Sequence, residues 1–340
     1  MRAPALAVAA ALVLVGAAHG GAPLRGQIVF DAEVSGGDQI HVFRERADGT
    51  GRVRLTYGKD SYDQPRWSPD GRTVVASGPP GLVVLTPSGQ VVRRIVVRSG
   101  ADVPRWSPDG KRIAYLVLDC VDPGSSEDPS CADLWVVRPD GSGRRRLTTG
   151  GAVDATATSY VSLYSWAPDS RHIAYDGQKG ITVVDVATGH KRLLRPPTNL
   201  LEQSPQWSPD GKRILFEMQR APFQTSDLSL IAPDGSGFHK LPHTGDTLEP
   251  RWSPDGKHIA TLLQLAPSST DWGVAVLRPD GSGRRRVGTS GDYQFLEWSP
   301  DSTRVLYVGH TRSDTFEIVR ADGHGARVRI PGGANPDWGP

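Results

Sequence analysis

The sequence predicts an all-β protein, a single β-propeller of seven four-stranded blades, and three observations predict it. One short unit, a tryptophan followed by Ser-Pro-Asp-Gly or a near variant, recurs with its tryptophans at Trp67, Trp106, Trp166, Trp207, Trp252, Trp298 and Trp338. Each complete unit is followed at a fixed offset by an apolar run of strand length. The 39 glycines and 28 prolines punctuate the whole chain, as a fold that turns every few residues requires. Repeats of this period mean units that bury a face only by stacking on their neighbours.

The elements of one unit can be justified in order. The tryptophan closes the innermost strand and fills space between blades. Pro-Asp-Gly then makes a tight turn, because Pro presets φ, Asp bonds back to the turn and Gly takes the positive φ. Next comes the second strand: Val74-Val75-Ala76, Ile113-Ala114-Tyr115, Ile173-Ala174-Tyr175, Ile214-Leu215-Phe216, Ile259-Ala260-Thr261 and Val305-Leu306-Tyr307. Near-continuous apolar runs of this kind belong to strands covered on both faces. The third strand appears in runs such as Leu82-Val83-Val84-Leu85 and Val274-Ala275-Val276-Leu277. A second turn, as at Pro139-Asp140-Gly141, leads to a short outer strand, and short edges limit exposed pairing surface.

The two ends of the repeat array predict how the ring closes. Gln27-Ile28-Val29-Phe30 matches a second strand with no tryptophan strand before it, and Asn335-Pro336-Asp337-Trp338 matches an inner strand with nothing after it. One blade is therefore expected to take its inner strand from residues near 338 and its other three from residues 27–56, giving a propeller over 27–340.

The Trp-Ser-Pro-Asp-Gly unit with its apolar strand resembles the repeat of TolB-type β-propellers, and the resemblance runs along essentially the whole of 27–340. It implies a propeller fold, and for function it implies a partner-binding platform. TolB carries an α/β domain before its propeller, whereas here propeller strands begin a few residues after the expected cleavage site. That departure puts the envelope-translocation role of TolB itself in doubt.

Residues 1–20 read as a signal peptide: a charge at Arg2, a small apolar run from Ala5 to Ala18, and small residues up to Gly20. An exported protein is expected, in the periplasm, the cell envelope or the medium, with no membrane span in the mature chain. Export makes a Cys120–Cys131 disulfide the default. The acidic loop between them offers Asp119, Asp122, Glu127 and Asp128 as oxygen ligands for a Ca²⁺ ion, although a solvated loop explains them as well. No other cofactor is expected. The net charge of +2 points to no nucleic-acid partner.

No nucleophile elbow, His-Glu-x-x-His helix or phosphate-binding loop occurs, so no catalytic residue is assigned. Two surfaces remain. A cation precedes the apolar residue of each outer strand, at Arg54, Arg94, Arg146, Arg192, Lys240, Arg286 and Arg329, which reads as edge protection before it reads as a polyanion site. Polar residues of the inner strands, including Asp63, Arg66, Arg105, Glu249, Arg251, Glu297 and Asp337, are expected near the central channel or between blade tips, with the turn aspartates available to pair the buried arginines. The expectation is a monomeric binding scaffold for a protein or envelope partner, contacted through Asp63, Glu249 and the loop aromatics Tyr160, Tyr164 and Tyr293. The alternative is a channel enzyme or carbohydrate-binding protein, lyase- or lactonase-like, with a metal in the channel.

Overall fold

Each tryptophan unit folds locally as its residues dictate. In the first, Oγ of Ser68 donates to Oδ1 of Asp70 at 2.6 Å, that oxygen also accepts the Arg72 amide at 3.1 Å, and Gly71 sits at φ 66°. The same serine–aspartate clasp recurs at Ser107–Asp109, Ser208–Asp210, Ser253–Asp255 and Ser299–Asp301. Two turns carry Ser170 and Ser302 in place of glycine, at φ 56° and 60°. There the serine Oγ accepts the amide of Asp109 or Asp255 from the turn of the preceding blade, at 2.9 and 3.0 Å. A hydrogen bond between blades thus offsets a conformation that costs a non-glycine residue about 1–2 kcal/mol.

The computed structural model describes residues 24–34, 39–118, 131–149, 153–154, 163–219, 226–242, 244, 247–265, 272–288, 293–309 and 315–339. Among these there is no helix, and hence none long and apolar enough to cross a membrane. Seven four-stranded antiparallel blades form the ring. Blade 1 runs outward through Ala334–Gly339, Gln27–Glu33, Ile40–Arg46 and Val53–Arg54, with Ile28 opposite Trp338, so the ring closes as the sequence predicts. The inner strands of blades 2 to 7 are Asp63–Trp67, Asp102–Trp106, Tyr164–Trp166, Leu201–Trp207, Thr247–Trp252 and Tyr293–Trp298. Blades 3 and 4 are further joined by a two-residue strand, Val153–Asp154, that pairs with both, a link the repeat pattern did not announce.

The apolar second strands are explained by alternation. Ile28 and Phe30 of blade 1 pack with Leu306, Phe316 and Ile318 of blade 7, while Val29 between them packs with Trp67, Val74 and Val83 of blade 2. Every such strand serves two interfaces, so both faces must be apolar. Tryptophan also ties blades through its indole: Trp106, Trp166 and Trp298 each donate Nε1–H to the carbonyl of Arg66, Arg105 or Arg251, the residue before the tryptophan of the preceding blade, at 3.1–3.2 Å.

Inner strands kink once each in blades 1, 2, 3, 5, 6 and 7, where the register with the second strand shifts by a residue. Gln64, Val103, Ser204, Glu249 and Asn335 take positive φ there, and in all five the next residue is proline. Proline has no N–H to lose to the ladder, which is why it is tolerated at a bulge.

Candidate functional site

The bulge turns polar groups toward the axis of the ring. Arg66, Arg105, Arg251, Glu297 and Asp337 all hold the position before the tryptophan. Arg105 of blade 3 is within electrostatic reach of Arg251 of blade 6 and Glu297 of blade 7. Those blades are not neighbours of blade 3, so these side chains meet across the central channel. Arg66 also donates to the carbonyls of Pro65 and Asn335 at 2.8 and 3.1 Å, and Arg251 pairs with Glu249 at 3.2 Å. Three guanidiniums thus face Glu297, Asp337 and Glu249. Burial, with repulsion from Arg66 next, lowers the Arg105 guanidinium to about 10. Burial and the charge of Asp337 push Glu297 up, against the pull of the three arginines.

Tyr164, expected in a loop, is instead fully buried beside this cluster: its hydroxyl donates to the Val103 carbonyl and its ring lies 6.0 Å from the Arg105 guanidinium carbon. Its place in the residue pattern, two before Trp166, is that of the inner-strand prolines, and a ring there fills the interface between blades 3 and 4. It is removed from the set of surface contacts. The turn aspartates do not pair the channel arginines either. Each is held within its own turn, and hydrogen bonds from Ser68 and the Arg72 amide keep Asp70 below its ordinary value.

Toward the other end of the inner strands lies a second layer, on the face where blade-to-blade connections and the hairpins between second and third strands emerge. Asp63 and Asp102 begin the inner strands of blades 2 and 3, and Asp31 lies on the second strand of blade 1. Asp31 accepts the bulge amide of Gln64 at 3.1 Å, the Gln64 side-chain oxygen accepts the bulge amide of Val103, and Glu217 accepts that of Glu249 at 2.9 Å. Burial, then repulsion from Asp31 and Asp102, raises Asp63 to about 7. Burial and the nearby Glu249 raise Glu217.

Asp63 and Glu249 therefore lie at the channel, the first at its mouth and the second within the charge cluster. Sequence reasoning passed over Asp31, Asp176 and Glu217, whose signal is a carboxylate directly after the aromatic of a second strand, in Phe30-Asp31, Tyr175-Asp176 and Phe216-Glu217. Residues 1–20, Asp119, Cys120, Asp122, Glu127, Asp128 and Tyr160 lie outside the described residues, as do the side chains of Cys131 and Tyr293, which begin strands. Among the described residues no three His, Cys, Asp or Glu side chains are grouped to hold a metal ion. Four of the seven outer-strand cations are met by a side chain of their own blade: Arg146 by Asp133, Lys240 by Asp227 at 2.9 Å, Arg329 by Glu317 at 2.9 Å, and Arg94 by the Tyr62 hydroxyl at 2.9 Å.

No protein-family model matches the chain. The Tol-Pal system protein TolB of Anaeromyxobacter dehalogenans strain 2CP-C is 31% identical over 115 residues, 33% of this chain and 24% of that protein. The crystal structure of TolB from Acinetobacter baumannii superposes with a TM-score of 0.56 at 16% identity, over 93% of this chain and 83% of that one. The propeller is TolB-like. The match to the curated TolB spans about a quarter of its length, and the structural likeness concerns the fold. An oligogalacturonate lyase in complex with manganese also superposes, with a TM-score of 0.64 at 15% identity over 91% of this chain and 86% of that one, so the TolB-like fold is shared with enzymes.

Proposed function

We propose that this TolB-like propeller is an exported binding platform that presents its loop-bearing face, around the acidic channel mouth, to a protein or envelope partner. One observation carries the reading. Below the mouth, Arg66, Arg105 and Arg251 are opposed by Glu297, Asp337 and Glu249, so the channel is occupied by its own charges and a partner meets the rim rather than the interior. Paired charges buried in this way are costly to separate, and a ligand entering the channel would have to separate them. The TolB likeness supports a protein partner in the periplasm.

The test is capture from envelope extract by the mature chain and by variants carrying bulky substitutions on opposite faces. Arg98→Trp alters the loop face and Asp234→Trp the turn face. Loss of a specific partner with Arg98→Trp alone supports the platform; loss with Asp234→Trp alone, or no specific partner, overturns it.

A reaction in the channel is the second reading, favoured by one feature: Glu297 is raised among three arginines, a proton donor beside groups that bind anions. Turnover or binding of an acidic oligosaccharide that Glu297→Gln abolishes would establish it.

A further inference from the structure

Between blades 2 and 3, on the loop face, lies a cleft of about 400 Å³ lined among others by Asp63, Asp102, Ser77, Pro79, Pro80 and Arg98. Ser61 Oγ accepts the Ile40 amide at 3.2 Å, whereas three other polar groups of the cleft have no such partner. Ser77 is 3% exposed and its Oγ has no hydrogen-bond partner, although it stands opposite Asp63 across the strand pair. Neither Asp63 nor Asp102 receives a hydrogen bond or ion pair from another described side chain, and Asp31 adds a third carboxyl beside Asp63. Arg98 stands exposed at the rim and pairs with neither carboxylate.

A buried hydroxyl without a partner, beside two half-buried carboxyls, marks a place that a donor completes. The chemistry narrows the donor. The carboxylates are not grouped with a third metal-ligating side chain, which disfavours a metal ion. The walls include Pro79, Pro80, Val97 and Ala101, which suit an aliphatic stem. An ammonium carries three donors and no acceptor, matching two carboxylates and a hydroxyl.

We propose that this cleft takes a lysine side chain of a protein partner, with its ammonium among Asp63, Asp102 and Ser77 and its methylenes along Pro79 and Pro80. The proposal rests on the platform reading and names the chemistry by which the face would select a partner.

The experiment titrates the mature chain with acetyl-Gly-Lys-Gly amide, and with the glutamine peptide as control, following the backbone amides of Gly78, Gly81 and Gly100 by NMR. Saturable shifts with the lysine peptide alone are expected. Affinity should fall at least tenfold in Asp63→Asn and in Asp102→Asn, fall less in Ser77→Ala, and rise about threefold in Arg98→Glu, with thermal melts showing that each variant is folded. Equal shifts with the glutamine peptide, no saturation, or insensitivity to both aspartate variants would overturn the proposal. So would saturation by calcium chloride that excludes the lysine peptide. A partner captured by the loop face while the peptide fails to bind removes the cleft and keeps the platform; peptide binding with no captured partner does the reverse.

Discussion

The backbone amide of Trp67 donates to Oδ2 of Asp337 at 2.6 Å, joining blade 2 to the inner strand of blade 1 across 270 residues of sequence. Asp337 also faces Arg66 and Arg105, so one carboxylate serves the ring closure and the channel charge cluster together. Replacing it removes an acceptor and leaves buried guanidiniums short of a counter-charge, a change that costs about 3–5 kcal/mol. Asp337→Ala is expected to lower stability by about that amount in a denaturant melt. Asp337→Asn keeps the amide's acceptor and should lose less. If Arg66 is the main partner, Arg66→Met in the Asp337→Ala background recovers part of the loss; additivity of the two changes would show that they act independently.

Two turns test whether hydrogen bonds between blades offset local strain. Ser302→Ala keeps the positive φ and loses the acceptor for the Asp255 amide, and should cost about 1–2 kcal/mol. Ser302→Gly loses the same acceptor but relieves the backbone, and should lie within about 0.5 kcal/mol of the parent. Equal destabilisation by both would show that the backbone at this position carries no strain.

Much of this architecture could be read in the residues, and the reasons differ by part. Blade number and ring closure were legible because a repeat writes the same local chemistry many times, and a half-unit at each end stands out against it. Five of the inner-strand bulges were legible in retrospect from proline two residues before tryptophan, at Pro65, Pro104, Pro205, Pro250 and Pro336. The channel was half legible. Residues before the tryptophan were expected near the channel or between blade tips, but which carboxylate meets which arginine depends on distances across the ring, between blades remote in sequence. Tyr164 misled because a tyrosine after a polar stretch looks like a loop aromatic, although its offset from Trp166 is that of the inner-strand prolines, and the stacking of blades 3 and 4 buries it there.

The pairing of residues 28 and 338 implies that blade 1 cannot form without both its parts. Removing Gly333 to Pro340 would unpair Gln27–Glu33 on one edge and uncover Ile28 and Phe30. Because each blade is covered by its neighbours, the loss should spread beyond blade 1. The expected result is loss of the cooperative thermal transition, with exposed apolar surface detected by dye binding. A sharp transition at an unchanged midpoint would mean that six blades stand without the latch.

The acidic mouth predicts an unusual pH profile. Asp63 has an ordinary value of 3.8 and is raised to about 7, mainly by burial and then by Asp31 and Asp102. The folded protein therefore holds a proton that the unfolded chain releases between those values, and stability falls as pH rises through that window. Asp31, Asp102 and Glu217 are raised as well and act in the same sense. The turn carboxylates Asp70 and Asp210 are lowered, so their contribution is lost only on acidification below about pH 4. Stability should thus peak near pH 4–5 and decline toward pH 8. Asp63→Asn removes one part of that decline, and should stabilise the protein by about 2 kcal/mol at pH 8 while changing little at pH 4.5. Melts of both proteins across that range decide it: parallel curves would show that Asp63 is ionised in the folded state at no cost.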